Sequence, residues 1–382
     1  MNLNKHFPSV AHMAEAAEKR MPKFVHDYLT GGITTGACVQ RNRDALTSTL
    51  LMPRYLSEAQ TPQIKTSILG YDFDAPFGVA PLGLSGLLWP DSERILASAA
   101  RSHNIPYTLS TYACASLERI KPVAGEYGWF QYYPSNNPEV EQDLIDRCKD
   151  AGYKTLVLTV DIPVETRRDH DIKNGISVPP AFDLRTLWQM VTHPAWSLGM
   201  LRVGVPHFET LTTYNEPGKR PIQGSLEFIT NTMKGHITAV RFKTIRAAWD
   251  GDLLVKGVLD VDEAKAYMSM GADGIVVSNH GGRQFDAAPA AATVLPQIRA
   301  ALGDEALILA DGGIRNGLDI ARMLALGANF VLLGRPFVYA VAAIGKKGGA
   351  HVMHILKEEL KGAMAQMGCP TIEQLPQFLI EQ

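Results

Sequence analysis

The stretch Ala306–Phe337, ALILADGGIRNGLDIARMLALGANFVLLGRPF, decides the fold. It opens on an apolar run, Ala306–Ala310, and nearly closes on another, Phe330–Gly334. Short Val/Ile/Leu-rich runs without polar alternation suit parallel strands covered on both faces. Between them, Asn316–Leu326 has helical spacing, with Asn316 as the cap and Gly327 as the stop. The stretch therefore reads as strand, helix, strand. Each strand ends in glycine and arginine: DGGIR after the first, GR after the second.

The same rhythm extends upstream. Further strand-like runs are Phe77–Pro81, Pro106–Leu109, Trp129–Tyr133, Thr155–Val160, Leu253–Gly257 and Gly274–Ser278, with helical segments such as Pro138–Ala151 and Val261–Met270 between them. Eight strand–helix units behind a helical N-terminal extension predict an α/β fold, a (β/α)8 TIM barrel. The interval from Val160 to Leu253 is too long for one crossover. It predicts a long loop excursion after the fourth strand, over about 175–235, leaving the C-terminal face of a barrel that occupies about 75–350. The whole chain, 1–382, reads as one domain.

Composition narrows the function. With 37 Lys plus Arg against 39 Asp plus Glu, the net charge of −2 rules out a broad basic footprint for nucleic acid. At 46% hydrophobic and 20% charged residues, the chain can bury a large core. The four cysteines lack CxxC or Cys/His ligand spacing, which argues against a metal site and a disulfide scaffold and fits a cytoplasmic chain. The N-terminus has no secretory h-region, and no stretch of about 18 apolar residues is present to span a bilayer. One segment stands apart: Ala181–Phe208 carries Trp188, Met190, Trp196, Leu198, Met200 and Leu201 among Arg185, His193 and Arg202. Two readings stay open. One is an element lying on the inner face of the cell membrane; the other is a lid or subunit contact over the active-site mouth.

Barrel enzymes place chemistry where strands run out into C-terminal loops. Those positions hold Pro81, Leu82 and Gly83, then Ser110, Gln131, Tyr133, Thr159, Asp161 and Lys256. Ser278, His280 and Arg283 follow at the sixth strand, Asp311, Gly313 and Arg315 at the seventh, and Gly334 and Arg335 at the eighth. Polar residues converging from every strand point to a shared ligand. The DGGIR and GR turns lie where this fold holds a phosphate, with backbone N–H groups and arginines as donors. In SNHGGRQFD, a proton acceptor, His280, stands three residues from Arg283, a fork suited to a carboxylate. Asp161 can fix the imidazole tautomer, and buried Lys256 requires an acceptor or an anion.

These motifs resemble the FMN-dependent α-hydroxy acid dehydrogenases and oxidases, a family that includes glycolate oxidase, flavin-type L-lactate dehydrogenases and mandelate dehydrogenase. The resemblance runs from DYLTGG (Asp27–Gly32) through FQYY, LTVD, LVKG, SNHGGRQFD and DGGIRNG to LLGRPF. It implies an FMN flavoprotein that oxidises an L-2-hydroxy acid of the lactate, mandelate or glycolate kind to the 2-oxo acid. It also implies a homotetramer. His280 would be the base and Asp161 its support. Arg283, Arg168 and the Tyr28 hydroxyl would bind the substrate carboxylate, and Tyr133 its hydroxyl. Lys256 would lie near the flavin's pyrimidine edge. Ser110, Gln131, Thr159 and Ser278 would meet the isoalloxazine or ribityl chain. Asp311 would hold the ribityl, and Gly313, Arg315, Gly334 and Arg335 the phosphate.

Departures from the family pattern concern subtype. Gly83 in Pro81-Leu82-Gly83 resembles the dehydrogenases and the lactate monooxygenase, whereas simple oxidases tend to have Ala there; this implies that electrons pass to a quinone or another carrier, with an oxygen-reducing oxidase or monooxygenase as the alternative. Tyr112 stands where glycolate oxidase has tryptophan. Glu165 falls where an aliphatic residue is common; it either selects a polar or cationic substrate tail or pairs with Arg167.

Overall fold

A computed structural model describes residues 2–56, 61–164, 166–175, 183–233 and 236–380. Eight parallel strands close into a barrel: β1 (Phe77–Val79), β2 (Tyr107–Ser110), β3 (Gly128–Tyr132), β4 (Thr155–Thr159), β5 (Asp252–Val258), β6 (Gly274–Val277), β7 (Ile308–Asp311) and β8 (Phe330–Leu333). Each pairs with its neighbours in sequence, and β8 returns to β1 through Leu332 opposite Gly78. Every strand forms within two residues of where the sequence predicts it.

Register follows from the period-two pleat. Residues two apart face the same side, so one strand can line the barrel with an apolar residue and then a polar one. Trp129, Val157, Leu254, Val276, Leu309 and Phe330 form the interior layer. Their i+2 residues on β3 to β7 are Gln131, Thr159, Lys256, Ser278 and Asp311, the next layer toward the C-terminal end. A dry lower storey thus carries a polar upper one. A short antiparallel ribbon, Thr66–Ile68 with Tyr71–Phe73, closes the N-terminal end. Its Phe73 ring packs edge-on against Trp129 and Phe330, with centroids 6.2 and 5.5 Å away.

The helices begin where their caps dictate. The Asn316 side chain accepts from Asp319 N at the start of Gly317–Ala325, and Asn137 accepts from Glu139 N before Pro138–Asp150. In the N-terminal extension, Val10–Arg20, Lys23–Thr30 and Ala37–Ser48 wrap the barrel. Arg20 Nε donates to Ala342 O at 2.7 Å, tying the first of these to the helix after β8.

Between β4 and β5 the chain forms Asp169–Lys173, Leu184–Thr192, Pro194–Val203 and Pro221–Thr232. The pair of helices at 184–203 docks through Trp196, whose Nε1 donates to Leu87 O at 3.0 Å and whose ring meets Phe24 edge-on. The aromatic and sulfur-bearing residues of this segment therefore do not all face one way. Trp196 is buried and Met190 and Met200 half-buried, whereas Leu184, Leu187, Trp188 and Val191 are exposed at i, i+3, i+4 and i+7. Among the described residues no helix is long and apolar enough to cross a membrane.

Candidate active site

A cavity of about 670 Å³ opens at the C-terminal end of the barrel. His280 stands in it on the turn after β6, with a backbone φ of +58°. That left-handed geometry is costly for a residue with a side chain and persists only where its surroundings enforce it. The enforcement is visible. Asn279 and Asn42 exchange amide bonds at 2.7 and 2.9 Å, and Asn279 Oδ1 also accepts from Gly282 N. Ser278 Oγ accepts from His280 N at 3.0 Å.

The imidazole Nδ1 lies 3.0 and 3.2 Å from the two carboxylate oxygens of Asp161, so Nδ1 carries the proton and Nε2 is left as the acceptor. Tyr133 OH is 3.5 Å from Nε2. Burial pushes the His280 pKa down, Asp161 pushes it back up, and Lys256 lowers it further; the balance is below 6.5 and keeps the ring neutral. Burial alone would raise the Asp161 pKa, but the imidazole and Lys256 outweigh it and hold the carboxyl ionised. Burial drives the Tyr133 phenol well above its usual range, so it is a donor.

Room for Asp161 comes from a residue the sequence reading passed over. Gly257, at φ +105° in a bulge of β5, faces Asp161; a Cβ there would lie 2.5 Å from Asp161 Cβ. Its neighbour Lys256 is buried, with Nζ 3.1 Å from Asp311 and 2.9 Å from Ser278 Oγ. Burial lowers the ammonium pKa, but Asp311 and Asp161 outweigh it, so Lys256 remains a fixed cation in the cavity wall.

A second charge cluster flanks His280. Arg283 Nη1 donates to Tyr28 O at 2.6 Å and Gly31 O at 3.1 Å, with the guanidinium 4.7 Å from the Tyr28 ring centre. Arg168 enters from the loop after β4; its Nε is buried without a hydrogen-bond partner. Tyr112 stacks on Tyr133 at 4.4 Å, and Phe208 meets Tyr112 edge-on. With Leu226, Ile229 and Met233 from the excursion, these form an apolar wall. Nothing in the local pattern of the excursion marked Phe208 or Met233 as wall residues. Glu165 lies outside the described residues.

The remaining candidates divide into two groups. Pro81, Leu82, Gly83, Asp311, Gly313, Arg315, Gly334 and Arg335 line the cavity. Ser110, Gln131 and Thr159 do not line it but form a buried row beside it: Ser110 Oγ donates to Gln131 Oε1 at 2.7 Å and Gln131 Nε2 to Thr159 Oγ1 at 2.9 Å. Ser278 is likewise buried and bonded to Lys256. Arg335 is also held by the backbone. Its donors reach the carbonyls of Leu29, Thr30, Gly31 and Gly281, so it clamps the end of helix Lys23–Thr30 and leaves one of its five N–H groups. Among the described residues the Arg315 side chain donates only to the neighbouring Ile314 O and keeps more of its fork for a ligand.

The FMN implied by the sequence fits this cavity. Arg283, Arg315 and Arg335 make no ion pair among the described residues. Burial, with Arg315 and Arg283 close by, brings the Arg335 pKa down to about 9. Such crowding of buried and half-buried cations calls for an anion, and a phosphate supplies two charges. Gly313, at φ +81° with Asn42 O only 2.6 Å from where a Cβ would stand, presses the DGG backbone against the N-terminal extension beside Arg315. Asp311 Oδ1 is buried without a partner on the same wall, an acceptor suited to a ribityl hydroxyl.

Comparison with known proteins agrees with this geometry. The FMN-dependent dehydrogenase family matches residues 17–382. The L-lactate dehydrogenase of Pseudomonas entomophila is 36% identical over 360 residues, 94% of each chain. That of Xanthobacter autotrophicus is 37% identical over 362 residues, 94% of this chain and 93% of the other. Among solved structures, the monotopic membrane protein (S)-mandelate dehydrogenase superposes with a TM-score of 0.93 at 34% identity, covering 98% of this chain and 99% of that one. Mandelate oxidase superposes at 0.82 with 32% identity, covering 98% of each. The matched span contains every group described above: this chain belongs to the FMN-dependent dehydrogenase family.

Proposed function

We propose that the protein oxidises an L-2-hydroxy acid to the 2-oxo acid. The observation that carries this reading is His280, neutral, fixed by Asp161 through Nδ1, with Nε2 beside the Tyr133 hydroxyl and two arginines at the same mouth. Arg283, Arg168 and the Tyr28 hydroxyl bind the substrate carboxylate, and the 2-hydroxyl lies between Tyr133 OH and His280 Nε2. His280 removes a proton from the substrate at Nε2, and the adjacent Asp161 carboxylate stabilises the imidazolium that results. Lys256, held charged by Asp311, places a fixed positive charge where negative charge develops. FMN, when bound, supplies the two-electron acceptor. The substrate's own side chain faces Tyr112, Phe208, Ile229 and Met233, an apolar wall that favours an apolar substituent.

We also read the exposed face of 184–203 as a membrane-surface contact. Leu184, Leu187, Trp188 and Val191 are 85%, 50%, 68% and 72% exposed on one helical stripe, Leu198 and Leu201 are exposed on the next helix, and Arg185 and Arg202 lie in the same two helices. Apolar residues outward and cations at the rim suit an interfacial element. The likeness to a monotopic membrane dehydrogenase supports it; with Gly83, which bears on the acceptor alone, it favours a lipid-soluble carrier such as a quinone as electron acceptor.

The test is His280→Ala. Anaerobic reduction of the flavin by substrate should slow by about a hundredfold to ten-thousandfold while FMN stays bound. Reduction at a near-normal rate would remove His280 from the role of base. Peroxide formed in air as fast as turnover with a dye acceptor would assign the protein to the oxidases instead.

A further inference from the structure

The loop after β4 brings Arg168 to the substrate mouth, where its ion pair with Asp171 lies within its own segment and does not tie that segment to the rest of the site. Its Nε is buried and unpartnered, and the Asp171 carboxylate is 3.9 Å from its Nη1. Facing it is Arg283, a second half-buried cation whose pKa is lowered first by burial and next by Arg168 itself. Two like charges at one mouth repel until an anion lies between them. Something else must keep the Arg168 segment in place.

Among the described residues, two side-chain bonds help do so, one at each end of the segment 166–175, beside the packing of Asp169–Lys173 against Lys23–Thr30. At its start, Thr166 Oγ1 donates to Gln284 Oε1 at 3.0 Å, and Gln284 adjoins Arg283. At its end, Asn174 Nδ2 donates to Asp27 Oδ2 at 3.0 Å, and Asp27 adjoins Tyr28. Asp27 is itself anchored by Lys23 Nζ at 2.7 and 2.9 Å. Each bond therefore ties the element bearing Arg168 to an element bearing one of the other two carboxylate-binding groups.

We propose that Thr166 and Asn174, through Gln284 and Asp27, are positioning residues that hold Arg168 against its repulsion from Arg283 and so preform the substrate-carboxylate site. The inference rests on reading Arg168, Arg283 and Tyr28 as that site. Neither bond touches His280, Asp161 or Tyr133, so the tethers act on binding rather than on proton removal.

The experiment compares Asn174→Ala, Thr166→Val and the swapped pair Asp27→Asn with Asn174→Asp, all as FMN-loaded full-length protein. Anaerobic stopped-flow titration with a 2-hydroxy acid separates the apparent Kd from the limiting rate of flavin reduction. Oxalate, bound without turnover and followed by the flavin absorbance, reports on the anion site alone. Each single variant should weaken both ligands roughly three- to tenfold, the value of one net hydrogen bond, with the limiting rate within about twofold of normal. The swapped pair, which can remake the bond, should recover most of the lost affinity. Unaltered oxalate binding in both single variants, or a fall in limiting rate alone, overturns the proposal. A wild-type protein that holds FMN yet is bleached by no 2-hydroxy acid fails the functional reading instead, a result distinct from either.

Discussion

Gly257→Ala tests how the strand backbone serves the proposed base, His280. A Cβ at 257 would lie 2.5 Å from Asp161 Cβ and 2.6 Å from Cγ, atoms too close to the main chain to swing aside. At φ +105°, alanine is also forced into left-handed backbone, which costs about 1–2 kcal/mol. That penalty falls on stability and should lower Tm by no more than a few degrees in a chain of this size. The larger effect falls on the 3.0 Å bond between Asp161 and His280. A hydrogen bond to a charged group is worth about 1.5–3 kcal/mol, so displacing Asp161 should slow the limiting rate of anaerobic flavin reduction roughly ten- to hundredfold. The assay is stopped-flow bleaching at saturating substrate, with FMN content and Tm measured on the same sample. A variant with the expected Tm loss but a normal limiting rate would refute the link between the Gly257 bulge and the Asp161–His280 pair.

Three further outcomes follow from the geometry. Because His280 acts neutral and its pKa lies below 6.5, kcat/KM should be level above that pH and fall along an acid limb centred below it; Asp161→Asn removes a group that raises the pKa and should move the limb lower still. A limb centred above 6.5 would contradict the assignment. Arg315→Gln should weaken FMN roughly ten- to hundredfold, read as cofactor lost on dialysis, because Arg315 keeps most of its donors for a ligand. Trp188→Glu and Leu201→Glu should each reduce sedimentation with anionic vesicles about tenfold or more while leaving dye-linked turnover in solution unchanged, since each removes an apolar side chain worth about 1.5–3 kcal/mol on burial. Unchanged sedimentation would leave that apolar face to a protein contact.

The barrel was legible in the sequence because parallel strands covered on both faces need unbroken apolar runs, and all eight strands lie at or beside such runs. Which residues meet was legible for the same reason: the pleat carries Gln131, Thr159, Lys256, Ser278 and Asp311 to one level, and the loops just beyond carry Asp161, His280, Arg283 and Arg315. What the pattern could not convey is geometry that depends on distant backbone. Gly257 reads as one more strand glycine until the Asp161 side chain opposite it is seen. Asn42, in the N-terminal extension, has no local signal for its amide pair with Asn279. Arg335 reads as a phosphate ligand from its place after β8, but nothing local shows that its donors also hold carbonyls at the end of Lys23–Thr30, a helix more than 300 residues earlier in the chain. In the excursion, apolar residues that look alike in sequence divide between the barrel, as Trp196 does, the site wall, as Met233 does, and solvent, as Trp188 does.

The central claim is that one mouth joins a flavin site to a carboxylate-gripping base. Anaerobic titration of the purified protein with a panel of L-2-hydroxy acids tests it most directly. A yellow protein carrying one FMN per chain, bleached by at least one L-acid and left coloured by its D-enantiomer, is the result expected; a protein that retains no flavin would contradict the account at its root.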